Sequence, residues 1–223
     1  MVKHEELNKE LELLLTYSKR MQDEGLVVGP GGNTSIKDGE GIMWISPSGI
    51  PFDEMQISDF VPVNVKTGKL LDNKIMPSSE IALHLFIYKA RSDVSCIFHA
   101  HPPTVIALSS VDVEIEPLFP DFVVYLGGHV PQTPYVTPCS EEMASLVVKH
   151  LKELPACILK NHGCVTVGKS IKEAYTRTVV LESGAQIYYK AIQVGKPRVL
   201  SKVEIKAILN LDIEKYRQKL LQG

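Results

Sequence analysis

The chain has 223 residues, 44% of them hydrophobic, and its formal net charge is -2. This length suffices for one domain with a hydrophobic core, and the near-neutral charge argues against a nucleic-acid-binding surface, which requires clustered basic residues. No apolar run is as long as a membrane span, and the charged N-terminus, MVKHEELNKELELLL, does not resemble a signal peptide. We therefore expect a cytoplasmic protein, without nucleic-acid or membrane partners, that forms a single domain over residues 1–223.

The first part of the chain predicts a helix, then short strands, then a second helix. Leucines at helical spacing predict a helix over residues 5–24, which Gly25 ends. Clusters of Gly, Pro, Asn and Ser divide residues 27–71 into short β-prone pieces joined by tight turns. The next helix is predicted over residues 77–91, with apolar residues at helical spacing.

The rest of the chain mixes short strands with helices. We predict strands over residues 94–99, 122–125, 156–160 and 164–167, and helices over residues 104–109, 140–154, 170–194 and 202–220. Because these elements do not follow a strict βαβ order, the pattern favours an α/β fold with a mixed or mostly antiparallel sheet covered by helices.

Two histidines lie one residue apart in the stretch FHAHPP, residues 98–103, at the end of a predicted strand. Residues i and i+2 of a strand face the same side, so His99 and His101 point into one space. Zinc binds neutral imidazoles at about 2.0–2.1 Å, and two histidines on one strand face suit that geometry. Taken alone, however, an H-x-H motif is more simply explained as a partly exposed histidine pair without a metal.

A catalytic zinc ion usually has three protein ligands and one open position, so a third ligand is required. His4 and His150 lie on charged helical segments, where we expect them to be solvated. His84 lies on a predicted helix, His129 in a turn after two glycines, and His162 between two predicted strands. Spacing alone does not choose among these three.

Three turns are rich in hydroxyl groups or glycine: GGNTS at residues 31–35, SPSG at residues 46–49 and PSSE at residues 77–80. Each alone is ordinary turn or capping chemistry, with Glu80 as a favourable acid at a helix start. Backbone amides and hydroxyls at such turns can also bind phosphate, particularly at a helix N-terminus. Beside a metal pair, they indicate a phosphate site built without lysines.

In this order, the stretches GGNTS, WISPSG, PSSEIALHLFIY, FHAHPP and LKNHG closely resemble the class II aldolase/adducin family, and within it the L-fuculose-1-phosphate aldolase pattern. The resemblance covers about residues 5–195. It implies an α/β/α three-layer fold with a central, mostly antiparallel sheet. It also implies a cyclic homotetramer with active sites at the subunit interfaces.

The resemblance implies roles for individual residues. Zn²⁺, or another divalent ion, would be held by His99, His101 and His162. Glu80 would be the catalytic acid/base, and a fourth metal ligand when no substrate is bound. The implied phosphate cradle consists of Gly32, Asn33, Ser48, Gly49, Ser78 and Ser79.

One region departs from the family pattern. Where the family places a tyrosine that reaches the neighbouring subunit's site, this chain has Asp121, and Tyr125 follows a few residues later. Asp121 is explained equally well as a catalytic group for the aldehyde half of the substrate and as a helix or turn cap. The C-terminal segment, which shapes the aldehyde pocket in the family, also differs, so the aldehyde is left open.

Glutamate at position 80 favours an aldolase, which would reversibly cleave a ketose 1-phosphate to dihydroxyacetone phosphate and a small aldehyde such as lactaldehyde. Pentulose-5-phosphate 4-epimerases of the family typically carry aspartate there, although Asp121 resembles an acid/base that they have nearby. Decarboxylases of phosphorylated 3-oxo acids share the zinc histidines and the glutamate, and are a further alternative. Adducin-type scaffold domains lack the metal histidines, whereas this chain has all three, so a scaffold without activity is not expected.

Overall fold

Helices cover both faces of one β-sheet in the computed structural model, which describes residues 2–222, with side-chain surroundings from residue 5 onward. The helices are α1 Val2–Asp23, α2 Ile81–Ala90, α3 Pro103–Ser110, α4 Pro120–Leu126, α5 Glu141–Leu151, α6 Ile171–Val194, α7 Lys202–Leu209 and α8 Asp212–Gln222. The strands are β1 Asn33–Lys37, β2 Ile42–Ile45, β3 Val61–Asn64, β4 Cys96–Ala100, β5 Gln132–Thr133, β6 Ala156–Leu159 and β7 Gly163–Gly168. Within residues 2–222 no helix is both long and apolar enough to cross a membrane.

The strands follow the order β3-β2-β1-β4-β7-β6-β5 across the sheet, and β4 is its central strand. Neighbouring strands are antiparallel throughout, except that the short β5 runs parallel to β6. His99 on β4 is paired in register with Asn33 on β1 and with Val165 on β7. The prediction of a mostly antiparallel sheet is confirmed.

Alternating side chains of β4 enter two separate hydrophobic cores. Cys96, Phe98 and Ala100 belong to the core that packs against α1, α3, α4 and α6. Ile97 belongs to the core between the sheet and the pair α2 and α5. His99 has the same orientation as Ile97, because side chains two apart on a strand share a face. The sheet therefore lies between two helical layers, which confirms the three-layer α/β/α prediction.

Serine N-caps fix the starts of two helices where the sequence predicts them. The Ser140 hydroxyl oxygen accepts a hydrogen bond from the Met143 backbone N–H at the start of α5. The Ser170 hydroxyl oxygen does the same for Glu173 at the start of α6. Such a cap satisfies one of the first backbone N–H groups, which have no partner inside the helix.

The predicted strand over residues 122–125 is wrong, because these residues form most of α4. Pro120 occupies the first turn of this helix, and Gly127 ends it with a left-handed φ of 74°. Proline at the start and glycine just past the end are favoured helix boundaries. A run of four apolar residues is too short to distinguish a strand from a helix by periodicity.

The predicted single helix over residues 202–220 is also wrong, because it is divided into α7 and α8. Asn210 is the C-cap of α7, and its backbone N–H bonds back to Ala207 and Lys206. Asp212 then begins α8 with an acidic first turn. The two-residue strand β5, which pairs with β6, was not predicted; its sequence is too short to carry an alternation. The other predicted helices and the strands over 94–99, 156–160 and 164–167 are present, with ends shifted by a few residues.

Candidate active site

Three histidines meet at the end of β4. His99 lies on the strand and is fully buried, and His101 follows directly after the strand ends at Ala100. His162 lies in the turn between β6 and β7, and β7 pairs with β4 up to the Ala100–Cys164 position. This pairing brings His162 beside the other two, with ring centroids 4.8 Å from His99 and 5.2 Å from His101.

Two glycines allow the backbone to approach this strand end closely. A β-carbon on Gly163 would lie 2.1 Å from the Ala100 carbonyl oxygen, which is far inside contact distance. Gly32 has a φ of 69°, and a β-carbon there would lie 2.8 Å from the His99 carbonyl oxygen. Only glycine fits both positions without displacing the backbone of the histidine strand.

Glu80 brings a carboxylate to the three imidazoles. It is 6% exposed at the N-cap position of α2, and its Oε2 lies 2.9 Å from Nε2 of His99. Its Oε1 lies 3.4 Å from Nε2 of His162 and has no hydrogen-bond partner among the described residues. The candidate ligand atoms of Glu80, His99, His101 and His162 all lie within 4.8 Å of one another.

The electrostatics of this cluster favour neutral rings for His101 and His162, and an ionised Glu80 carboxylate paired with His99. Burial, with the charge of His99, lowers the pKa of His101 to about 3 and that of His162 to about 4. Burial alone would raise the pKa of Glu80, but the charge and hydrogen bond of His99 outweigh it and hold this pKa well below its usual range. Burial likewise would lower the pKa of His99, and the Glu80 carboxylate raises it instead.

These donors suit a divalent metal ion. The Nδ1 of His99 lies 3.0 Å from the Cys164 carbonyl oxygen, which can only accept, so Nδ1 carries a hydrogen and Nε2 faces the cluster. That Nε2 is 3.0 Å from Nε2 of His101 and also faces Glu80. Nitrogen lone pairs and a carboxylate converging on one point require a proton or a cation between them, and three imidazoles with a carboxylate are typical zinc ligands.

The three turns expected to form a phosphate cradle lie next to one another. Backbone hydrogen bonds join two of them: the Ser48 N–H donates to Met76 and the Ser78 N–H donates to Ser46. The Thr34 N–H in turn donates to the Ser46 hydroxyl, which ties β1 to the same turn. Two of the expected cradle residues, Asn33 and Ser78, contact Glu80 directly, and the turns that carry Gly32, Ser48, Gly49 and Ser79 adjoin them.

Members of this cradle differ in how accessible their polar groups are. Ser48, Gly49 and Ser79 are exposed, so their hydroxyl or amide groups can reach a ligand. Ser78 is buried, and its hydroxyl accepts the backbone N–H of Glu80 at 3.2 Å. Asn33 is also buried, and its side-chain amide donates to Oε2 of Glu80 at 2.8 Å.

A buried network behind Glu80 was not found from the sequence. His84 contacts Asn33 through one ring nitrogen and Ser35 through the other, and Ser35 contacts Tyr88. A signal for it exists, since residues 80, 84 and 88 are spaced by four on one helix face and residues 33 and 35 share a strand face. Because both of its ring nitrogens are engaged in this network, His84 lies outside the metal-binding cluster.

The remaining candidates lie elsewhere. Asp121 and Tyr125 are on α4, where Arg217 approaches both: its Nη1 is 3.4 Å from Asp121 Oδ1 and its guanidinium lies 5.9 Å from the Tyr125 ring centre. His129 is exposed after α4, and Nδ1 of His150 bonds to a carbonyl of its own helix. The expectation for His4 lies outside the described side chains.

Comparisons with known proteins identify relatives along most of the chain. A family model described as the Class II Aldolase and Adducin N-terminal domain matches residues 12–189. A 5-deoxy-D-ribulose 1-phosphate aldolase of Bacillus thuringiensis serovar kurstaki is 34% identical over 200 residues, which are 89% of this chain and 93% of that protein. An L-fuculose phosphate aldolase of Methanococcus maripaludis is 38% identical over 172 residues, which are 76% of this chain and 90% of that protein.

A solved structure supports the same relationship. That of an L-fuculose 1-phosphate aldolase superposes with a TM-score of 0.86 at 30% identity, covering 94% of this chain and 96% of the other. The resemblance inferred from the motif order is thereby confirmed, and the His–Glu cluster lies where those motifs meet. Sequence, fold and site agree that the chain belongs to the class II aldolase and adducin family, in which it is a metal-dependent aldolase of the fuculose-phosphate aldolase group.

Proposed function

We propose that this chain reversibly cleaves a ketose 1-phosphate to dihydroxyacetone phosphate and a small aldehyde. The observation that carries the proposal is the Glu80 carboxylate, which lies against three imidazoles and next to turns rich in serine and glycine. The two named relatives act on different sugars, a 5-deoxyribulose 1-phosphate and a fuculose phosphate. Cleavage of the first yields acetaldehyde and of the second lactaldehyde, so the phosphorylated half is common to both.

We assign the metal ligands to His99, His101 and His162, and Zn²⁺ as the ion. When bound, it would supply Lewis-acid polarisation of the substrate carbonyl. Metal binding requires neutral imidazoles, and the lowered pKa values of His101 and His162 support this for two of the three ligands. The role of Glu80 as an additional ligand in the absence of substrate rests on its carboxylate lying against His99 and His162.

Glu80 is the proposed proton carrier. In cleavage the C4 hydroxyl gives up its proton and becomes the aldehyde carbonyl as the bond between C3 and C4 breaks, and Glu80 passes one proton to C3 of the phosphorylated half, so that one proton leaves the substrate and one returns. In condensation it removes that proton, for which an ionised carboxylate is required. Its lowered pKa keeps it ionised, and the amide of Asn33 orients Oε2.

The phosphate group is bound by neutral donors in this proposal. Exposed amide and hydroxyl groups of Ser48, Gly49 and Ser79 support it, with Gly32, Asn33 and Ser78 shaping the turns. The start of α2 adds the positive end of the helix dipole. Hydrogen bonds to a charged group contribute about 1.5–3 kcal/mol each, so a few suffice without lysine.

A homotetramer completes the proposal. Asp121 and Tyr125 lie on α4, outside the His–Glu cluster of their own chain. As the family resemblance implies, either side chain would serve the aldehyde half in the site of a neighbouring subunit. Asp121 is about half exposed, so it is available for such a contact.

The function is tested with purified protein and a small panel of substrates. We expect cleavage of L-fuculose 1-phosphate or 5-deoxyribulose 1-phosphate, loss of activity with a chelator, and recovery with Zn²⁺. The matching unphosphorylated ketoses serve as controls and should react with a far lower kcat/KM. Release of CO₂ from a phosphorylated 3-oxo acid, or epimerisation of a pentulose 5-phosphate, in place of cleavage would contradict the proposal.

A further inference from the structure

Four buried side chains form a continuous hydrogen-bonded chain that ends on Glu80. Nδ2 of Asn33 is 2.8 Å from Oε2 of Glu80, and Oδ1 of Asn33 is 2.6 Å from Nε2 of His84. Nδ1 of His84 is 2.7 Å from the Ser35 hydroxyl, which is 2.9 Å from the Tyr88 hydroxyl. Ser35 and His84 are fully buried, and Asn33 and Tyr88 are 3% exposed.

Once Asn33 donates to Glu80, the directions of the hydrogen bonds through His84 to Ser35 follow. Nδ2 of Asn33 donates to Oε2 of Glu80, which leaves the Asn33 carbonyl oxygen as the acceptor that faces His84. His84 must then donate from Nε2, which leaves Nδ1 as an acceptor for the Ser35 hydroxyl. The Tyr88 hydroxyl donates towards Ser35, whose backbone oxygen is 3.1 Å away.

Reversal of any one group would place like groups against each other. A flipped Asn33 amide would direct its oxygen at the carboxylate of Glu80 and its NH₂ at the N–H of His84. A neutral imidazole with its hydrogen on Nε2 matches only the Asn33 orientation that presents the NH₂ group to Glu80. Burial of His84, which lowers its pKa to about 3, keeps the ring neutral.

We propose that His84 is a positioning residue for catalysis: its Nε2–H donates to Oδ1 of Asn33, with the Ser35 hydroxyl on Nδ1, and so orients the Asn33 amide to donate to Glu80. The inference rests on the proposed function, because it takes Glu80 as the group that moves the proton. His84 itself contacts neither substrate nor metal; it acts through Asn33. Loss of this orientation leaves Glu80 in place but not aligned for proton transfer at C3.

The first test measures the tautomer. In protein labelled with ¹⁵N-histidine, long-range ¹H–¹⁵N correlation spectra distinguish a protonated from an unprotonated ring nitrogen, and the spectrum of His84→Gln assigns the signal. We expect hydrogen on Nε2 and none on Nδ1. The opposite tautomer, or a charged ring at neutral pH, overturns the inference whatever reaction the enzyme catalyses.

The second test compares two substitutions of His84 in metal-saturated protein. His84→Leu removes both ring nitrogens, and we expect kcat to fall about 10–100-fold, with KM and bound metal little changed. His84→Gln keeps one donor and one acceptor, and should recover most of this loss. Thr166→Val is the matched control: Thr166 is fully buried and its hydroxyl bonds to Thr178 and Ala174 on the opposite side of the sheet. It should lower the melting temperature without changing kcat.

A double-mutant cycle shows whether His84 acts through Asn33. In an Asn33→Ala background the amide is gone, so His84→Leu should cause no further loss of kcat. Independent, multiplying effects of the two substitutions overturn the inference, as does a kcat that follows only the melting temperature across all variants. A wild-type protein that cleaves no ketose 1-phosphate contradicts the proposed function instead, and the tautomer measurement then still decides on the orientation of Asn33.

Discussion

Glu80 stands at the N-cap position of α2, yet its carboxylate makes no capping hydrogen bond. It contacts His99 and Asn33 instead, at 2.9 and 2.8 Å. An acid that only complements the helix dipole stabilises the fold by about 0.3–1 kcal/mol. A buried carboxylate turned towards three imidazoles is instead placed to carry a proton beside a metal ion. Substitutions of Glu80 and His99 test the two parts of this arrangement.

Glu80→Gln should lower kcat by about 10²–10⁴-fold, because the amide cannot carry the proton to or from C3. Folding and metal content should be retained, since glutamine has the same size. Exchange of one C3 hydrogen of dihydroxyacetone phosphate in D₂O reports the same step without the aldehyde, and should slow in parallel. Retention of the wild-type exchange rate would exclude Glu80 as the proton carrier.

His99→Ala should abolish metal binding, because it removes the central imidazole of the cluster, which approaches both His101 and Glu80. Elemental analysis of purified wild-type protein should find about one zinc, or a similar divalent ion, per chain. His129→Ala is the control, since His129 is exposed after α4 and outside the cluster. Equal metal content in the two variants would place the ion elsewhere.

At the scale of elements, a side chain of α6 forms hydrogen bonds with the backbone where β4 connects to α3. The Glu182 carboxylate is 5% exposed and accepts the backbone N–H groups of Thr104 at 3.2 Å and Val105 at 3.1 Å. First-turn N–H groups have no partner inside their own helix, so α6 caps α3 from a distance. Glu182 thereby fixes the end of β4, beside His99 and His101, from the helical layer on the other face of the sheet from Glu80.

Glu182→Ala should destabilise the protein by about 1–3 kcal/mol, since it leaves buried N–H groups without partners. Urea unfolding of the metal-free protein measures the change. Glu12→Ala, at an exposed position on α1, should stay within about 0.5 kcal/mol of wild type. If the two variants lose equal stability, the carboxylate does not cap α3.

At the scale of the whole molecule, the C-terminal third exposes many large apolar side chains. They are Ile187, Tyr189, Ile192, Val194, Val199, Val203, Leu209, Leu211, Ile213, Tyr216 and Leu220. Such a concentration on α6, α7 and α8 is typical of a surface that another chain covers. This exposed apolar surface supports the proposed homotetramer. The single domain over residues 1–223 stays a prediction.

Light scattering should therefore give a mass about four times the 24.7 kDa of one chain. Dilution should reduce mass and activity together, because sites that draw a residue from a neighbour cannot work in a monomer. Activity should return on reconcentration, which controls for irreversible unfolding. A fully active monomer would refute the shared site.

The stability of the metal-free protein should fall as the pH is lowered from about 6.5. An unfolded histidine binds a proton below about pH 6.5, whereas the buried His84 does not do so until about pH 3. In this window the unfolded state holds one more proton than the folded state, so each pH unit costs up to about 1.4 kcal/mol for this residue. Urea unfolding at pH 7 and pH 5 measures the slope, and His84→Gln should reduce it; an unchanged slope would contradict the lowered pKa.

What the sequence by itself determined is local. The two-residue period of a strand places His99 and His101 on one face. Ser140 and Ser170 each start a helix by accepting a hydrogen bond from the backbone N–H three residues later. The order of the motifs, as a resemblance, named the family and His162. Where local signals were ambiguous, as in the short apolar run at residues 122–125, the expectation was wrong, because packing of α4 against α6 decides between helix and strand.

Only the tertiary structure decided which distant side chains meet. His162 lies beside His101 because β7 pairs with β4, whereas spacing alone left His84 and His129 equally open. Asn33 reaches Glu80 because β1 pairs with β4 and α2 packs on that face of the sheet. Residues far apart in sequence are brought together only by strand pairing and by the packing of helices on the sheet. The periodicity within one segment does not indicate which distant segment it will contact.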